Sequence, residues 1–435
     1  MSLEDQLGVS SIPQRYVLPP SQRPDLHVPI STTLPIIDLS SLNHHSLRPQ
    51  TIQDIRMACK NNGFFQVYIY IYIYIYIHTY YLNACTFFFF FFWLPARCSR
   101  HCLDYSGLHS RYQVKCAHSI LRNSTTKCYI KKTEHVYSTW EFLFSFDFSK
   151  AHVTSFWIIN HGIDQSTIND ALEAAKEFFN LPQEEKMRLF SDDVHKPVRY
   201  GTSLNQAKDE VYCWRDFIKQ YSHPISDWIH MWPSNPPTYK EKMGNYAKAV
   251  RLLQMQLTQI IFESLGLNPN YLQEEVNEGS QVLAVNCYPT CPEPDLTLGI
   301  LPHSDFGSLT ILLQTRSGLQ IKDKSDGNWV SVPFVEGGLV VQLGDEMEVL
   351  SNGQYKSVIH RATVNGEEKR FSIASLHNFG MDTKIVPAPE LVDEKNPKAY
   401  KEFSFRDFLG YISRHDVSKQ RFIDTLKMKP FESRN

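Results

Sequence analysis

Val282-Leu283-Ala284-Val285, Leu309-Thr310-Ile311-Leu312-Leu313, Leu319-Gln320-Ile321, Trp329-Val330-Ser331-Val332, Leu339-Val340-Val341-Gln342-Leu343, Met347-Glu348-Val349-Leu350 and Phe371-Ser372-Ile373-Ala374 follow one another along the chain. Each run is short and apolar, and Pro, Gly, Asn or Asp punctuates the gaps between them. Short strands at regular spacing with turn signals between them predict an antiparallel sandwich or jelly roll over residues 281–385.

Upstream the period changes. Gln165 to Phe179 places Ile168, Leu172, Ala175 and Phe178 on one side, the spacing of an amphipathic helix. Leu181-Pro182-Gln183 opens a further helix, with Pro near its first turn. Tyr239 to Leu265 is the longest helical stretch, and Gly266 ends it. Thr51 to Asn61 also has helical spacing. Leu34-Pro35-Ile36-Ile37-Asp38-Leu39 reads as a buried strand, and Phe405 to Ile412 as a closing helix within a C-terminal segment, 386–435. Residues 1–67 and 159–280 thus form a largely helical region ahead of the strands.

Residues 68–158 do not fit this pattern. Tyr and Ile alternate from Tyr68 to Ile77, and six Phe follow at Phe87 to Phe92. A strict Tyr/Ile alternation makes both faces of a strand apolar, and a Phe run has no period. A TATATA repeat and a T-run in the coding nucleic acid give these residues directly, so the segment is expected to be a translated intron. Its removal joins Gly63-Phe64-Phe65-Gln66-Val67 to Ile159-Asn160-His161-Gly162 as one strand and turn. Tyr68 to Leu94 is long enough to cross a bilayer. However, Tyr belongs at the interface, and His78, Asn83 and Thr86 interrupt the run, so no membrane span is expected.

A net charge of −2 and the lack of a dense Lys/Arg block argue against a nucleic-acid partner. Hydrophobic residues make up 42% of the chain, enough for a sizeable core. Outside 68–158 the cysteines are Cys59, Cys213, Cys287 and Cys291. They show no paired framework, and the N-terminus has no signal-peptide pattern. A cytoplasmic monomer acting on a small molecule is expected.

The chemistry gathers near His303-Ser304-Asp305. Alternate residues of a strand point the same way, so His303 and Asp305 can aim at one point. His360, after Lys356-Ser357-Val358-Ile359, supplies a third ligand near another strand's end. Two His and one carboxylate on one face of a metal leave three positions open, the arrangement of non-haem Fe(II) oxygenases. Alone, His303 reads equally as a polar loop residue and His360 as a capped strand end. Arg370, at the end of a Val/Ile-type strand, is suited to hold a carboxylate bidentately, with the Ser372 hydroxyl beside it.

Asn286-Cys287-Tyr288-Pro289, Pro302-His303-Ser304-Asp305, Leu343-Gly344-Asp345, Ser351-Asn352-Gly353, Ser357-Val358-Ile359-His360-Arg361 and Arg370-Phe371-Ser372 occur in that order. Together with Arg199-Tyr200-Gly201-Thr202-Ser203 and Trp214-Arg215-Asp216, the series resembles the plant 2-oxoglutarate- and Fe(II)-dependent dioxygenases, in particular the flavanone 3-dioxygenase-like and downy-mildew-resistance-type subgroup. The resemblance implies an α+β fold with a double-stranded β-helix (jelly-roll) core. It implies Fe(II) on His303, Asp305 and His360, and 2-oxoglutarate on Arg370 and Ser372, with Asn286 and Tyr288 nearby. O2 is the second cosubstrate and ascorbate the reductant. Phe306, Tyr200 and Leu376 are implied to face the organic substrate, although many relatives carry an aromatic residue where Leu376 stands. The implied reaction hydroxylates or desaturates a flavonoid, phenolic or gibberellin-type metabolite and yields succinate and CO2. Two alternatives compete: an inactive product of mis-splicing and a jelly roll that binds without turnover.

Overall fold

The computed structural model describes residues 10–30, 36–61, 112–115, 129–132, 156–203, 209–324, 326–415 and 420–428. The chain divides into two compact units, Tyr70–Ala151 and the remainder. In the smaller unit β2 (Tyr112–Lys115) pairs antiparallel with β3 (Tyr129–Lys132), β1 being Ile36–Asp38 of the larger unit. The Tyr/Ile and Phe runs of the expected insertion lie outside the described residues, as do residues 62–67.

The larger unit continues with β4 (Phe156–Ile159), β5 (Val198–Gly201), β6 (Asp216–His223), β7 (Gln281–Tyr288), β8 (Ile300–His303), β9 (Leu309–Gln314), β10 (Leu319–Lys322), β11 (Trp329–Ser331), β12 (Leu339–Leu343), β13 (His360–Ala362) and β14 (Arg370–His377). One sheet has the order β1-β4-β12-β9-β14-β7-β6-β5, and a smaller one β11-β10-β13-β8. Only β1 and β4 run parallel; the other neighbours are antiparallel. The expected double-sheet architecture is present. The sheet also crosses the expected boundary at 280/281, because β6 pairs with β7.

Helices cover one side of the large sheet. Gln165–Phe179 and Tyr239–Leu265 form over the predicted spans. They pack on each other and both touch β14. Gly266 closes the longer helix at φ 83°, a conformation that costs glycine nothing. Phe178, Tyr239, Tyr246, Leu257 and Ile261 are buried between helix and sheet. In β12 every residue is buried, Gln342 included, so the strand shows no alternation of core-facing and exposed positions.

Three expectations change. Met347-Glu348-Val349-Leu350 is not a strand but the end of a helix, Asp345–Leu350. All six of its residues are buried, so alternation carries no information there. Asp345 and Glu346 stand in its first turn, and burial raises both carboxyls above their ordinary values. Lys356 to Ile359 forms no strand; His360 begins β13 instead of ending a strand. The position expected for Phe64-Phe65-Gln66-Val67 joined to Ile159 is occupied by Phe156–Ile159, between β1 and β12.

Candidate functional site

A cavity of about 480 Å³ opens between the two sheets. Its lining follows from strand alternation. Phe217, Lys219 and Tyr221 of β6, Val282, Ala284, Asn286 and Tyr288 of β7, and Arg370, Ser372, Ala374 and Leu376 of β14 all face it. The smaller sheet contributes His303 from β8 and His360 from β13.

His303 and His360 are direct partners across the β8–β13 ladder. Their Nε2 atoms lie 3.6 and 3.7 Å from Asp305 Oδ1. Strand β8 ends at His303, so the turn after it, not a continued alternation, brings Asp305 back to the pair. The ligand atoms of all three lie within 4.8 Å of one another, the one such group among the described residues. The Nδ1 of His303 lies 2.8 Å from the Leu301 carbonyl, and that of His360 lies 3.2 Å from the Val358 carbonyl. A proton on each Nδ1 satisfies these carbonyls and leaves each Nε2 lone pair for a metal.

Burial, with the neighbouring His303, pushes His360 down to about 4, so its imidazole is neutral at neutral pH. Burial opposes a charge on Asp305, but His360 and His303 beside it hold its carboxyl well below the usual range. Two imidazoles and one carboxylate fit a divalent iron with three open positions.

The four residues expected around 2-oxoglutarate form two cross-strand pairs. On β14 and β7, Arg370 stands opposite Tyr288 and Ser372 opposite Asn286. Arg370 is buried, with its guanidinium 4.8 Å from the Tyr288 ring centre. It donates from Nη2 to Gln314 Oε1 at 2.6 Å and from Nε to the Arg316 carbonyl at 3.2 Å. Its buried Nη1 has no partner among the described residues. Asn286 Nδ2 donates to Ser372 Oγ at 3.3 Å. A buried guanidinium with a spare donor beside a hydroxyl is the donor set for a carboxylate.

Phe306 and Leu376 line the cavity. Phe306 stacks on Phe408 at 4.1 Å, and the closing helix Phe405–Ile412 presents Phe405, Phe408, Leu409 and Ile412 to the cavity. Tyr200 does not line it. Arg199 takes the cavity side of β5, so its neighbour turns away, and the Tyr200 hydroxyl donates to Asp216 Oδ2 at 2.8 Å.

Sequence reading missed Gln314, Arg215 and Lys219. Gln314 pairs with Ser372 across β9–β14, and it is the polar residue directly after the apolar run Leu309–Leu313. Arg215 is buried and donates to Asn286 Oδ1 at 2.7 Å. The alternation of Arg215, Phe217, Lys219 and Tyr221 was the available signal.

Residues 279–378 match the 2OG-Fe(II) oxygenase superfamily, and 151–235 match the family described as non-haem dioxygenase in morphine synthesis N-terminal. Flavanone 3-dioxygenase 3 of Oryza sativa subsp. japonica is 47% identical over 274 residues, 63% of this chain and 83% of the relative. Protein DOWNY MILDEW RESISTANCE 6 of Arabidopsis thaliana is 41% identical over 62% of this chain and 80% of its own length. Among solved structures, JOX2 in complex with 2OG, Fe and JA superposes with a TM-score of 0.69 at 24% identity, covering 99% of this chain and 98% of that one, a likeness of fold. The 2-oxoglutarate complex of the Arabidopsis thaliana dioxygenase for auxin oxidation 1 gives 0.50 at 27% identity, over 56% of this chain and 90% of that one. Fe(II) and 2-oxoglutarate are therefore the cofactor and cosubstrate of this enzyme: the chain belongs to the 2OG-Fe(II) oxygenase superfamily.

Proposed function

We propose that His303, Asp305 and His360 hold the iron, that Arg370 and Ser372 hold the distal carboxylate of 2-oxoglutarate, and that the organic substrate is a small plant metabolite or hormone bound against Phe306 and Leu376. The observation that carries this reading is the His303–His360 cross-strand pair with Asp305 Oδ1 at 3.6 and 3.7 Å. Bound iron supplies O2 activation coupled to decarboxylation of 2-oxoglutarate, giving succinate and CO2 with hydroxylation or desaturation of the substrate.

The protein's part is geometric and electrostatic. The Leu301 and Val358 carbonyls orient the imidazoles. Gln314 and the Arg316 carbonyl fix the Arg370 guanidinium so that its spare Nη1 is preset for a carboxylate. Phe306, stacked on Phe408, supplies an apolar wall that excludes water.

Ascorbate is the reductant that keeps the iron ferrous, and Cys59, Cys213, Cys287 and Cys291, buried and free among the described residues, support a reducing, cytoplasmic setting. Among the described residues no helix is long and apolar enough to cross a membrane. His303→Ala and Asp305→Ala are each expected to abolish 2-oxoglutarate-dependent succinate release. An unchanged rate in either variant rejects the assigned ligands.

A further inference from the structure

Resting on the assignment of iron to His303, Asp305 and His360, we infer that Glu348, which lies outside the cavity, is a positioning residue of the metal site: it anchors the stretch of chain that aims His360.

The His360 ring is oriented by the Val358 carbonyl, 3.2 Å from its Nδ1. That carbonyl sits in residues 356–359, which belong to no helix or strand. On the His360 side, the Lys322 amide donates to the Ile359 carbonyl at 2.8 Å. On the other side, one carboxylate holds the segment. Glu348 Oε2 accepts from the Ser357 amide at 2.8 Å and from the Ser357 hydroxyl at 3.1 Å, directly before Val358.

Glu348 is itself fixed. It is buried in the helix Asp345–Leu350, and its Oε1 accepts from the Tyr400 hydroxyl at 2.7 Å and from Lys356 Nζ at 3.2 Å. Burial opposes its charge, but Lys356, Tyr400 and Ser357 hold its carboxyl below the ordinary value. A charged acceptor makes the stronger hydrogen bonds. The same helix grips the segment of the other two ligands. The Asp345 amide donates to the Asp305 carbonyl at 2.8 Å, and the Ser304 hydroxyl donates to Asp345 Oδ2 at 3.3 Å. One helical turn, Asp345 to Glu348, thus spans both ligand-bearing segments. Neither Glu348 nor Ser357 lines the cavity, so neither touches substrate or cosubstrate. Glu348 acts through Ser357 and Val358 on the direction of the His360 imidazole. A metal ligand whose orienting partner is loosened loses affinity for its metal, typically by about tenfold or more.

The test is titration of the metal-free full-length protein with Co(II), followed by visible absorption, which reads affinity and ligand geometry without turnover. Melting curves are recorded on the same samples. Glu348→Ala is expected to weaken Co(II) binding by about tenfold or more and to shift the absorption bands. Glu348→Gln keeps an oxygen acceptor for Ser357 and is expected to restore most of the affinity. Tyr400→Phe removes only an Oε1 contact, so it is expected to lower the melting temperature and leave Co(II) binding as in the parent. Ser357→Ala removes one of the two Oε2 contacts and is expected to lose less affinity than Glu348→Ala; it keeps the test open if Glu348→Ala does not fold. A carboxylate that only stabilises the fold would change melting alone. Parent-like Co(II) affinity and bands in Glu348→Ala, or in Ser357→Ala where the former does not fold, overturn the inference, as does a loss in Tyr400→Phe equal to that in Glu348→Ala. The parent and His360→Ala are titrated beside them. A parent that binds no Co(II), or a His360→Ala that binds it equally well, rejects the metal assignment beneath. With those two as assigned, parent-like binding by the Glu348 variants rejects only this inference.

Discussion

The site's chemistry turns on a few side chains whose environments differ sharply. Arg370 is buried with two of its donors committed and Nη1 spare, so losing its charge removes a contact that no neighbour replaces. Arg370→Gln is expected to raise KM for 2-oxoglutarate about 10- to 100-fold, the equivalent of one charged hydrogen bond, with a smaller effect on kcat at saturation. Steady-state succinate assays across 2-oxoglutarate concentrations check this. Lys219 gives a pH signature. Its amine sits at about 7 in the folded protein against about 10.4 in an unfolded chain, so the unfolded chain takes up the proton first as pH falls. The resulting penalty is absent above about pH 10, grows as pH falls toward 7 and is constant below. Lys219→Gln, free of ligand, should melt above the parent at pH 7, and the difference should vanish toward pH 10.

At the scale of elements, the turn after β8 is decided by backbone contact. A Cβ on Gly344 would meet the Gly307 carbonyl oxygen and lie 2.9 Å from that of Asp305. The Asp345 amide donates to the same Asp305 carbonyl at 2.8 Å. Gly344→Ala should therefore cost about 1–3 kcal/mol of stability and displace Asp305. Denaturant unfolding and iron affinity should fall together. The elements differed in how openly the sequence declared them. Gln165–Phe179 and Tyr239–Leu265 were legible because one face of each is apolar at helical period and Gly266 marks a stop. The Asp345–Leu350 helix was not, because every one of its residues is buried. The residues proposed for iron and 2-oxoglutarate stood out through ordered motifs, and the structure brings His303, Asp305 and His360 within 4.8 Å of one another. Strands β5 and β6 were not legible, because Arg199 and Lys219 face the cavity, against the pattern that identifies a strand by apolar residues facing the core.

For the whole molecule, the large sheet needs a strand between β1 and β12, and Phe156–Ile159 fills that place. Phe64-Phe65-Gln66-Val67 joined to Ile159 has the same aromatic and β-branched character. A chain lacking Tyr68–Ile158 is accordingly expected to rebuild the strand, and to remain soluble at concentrations where the uncharged Tyr/Ile and Phe runs drive the longer chain to aggregate. Light scattering of the two purified forms checks this, and aggregation of the shortened form alone would count against a translated intron. One cavity, framed by both sheets, is proposed to hold iron on His303, Asp305 and His360 and 2-oxoglutarate on Arg370 and Ser372. The most direct test is succinate release from 2-oxoglutarate by the purified protein with Fe(II) and O2, beside Asp305→Ala and Arg370→Gln. The parent is expected to release succinate, Asp305→Ala to release none, and Arg370→Gln to recover at high 2-oxoglutarate. Equal release by the parent and Asp305→Ala would contradict this assignment.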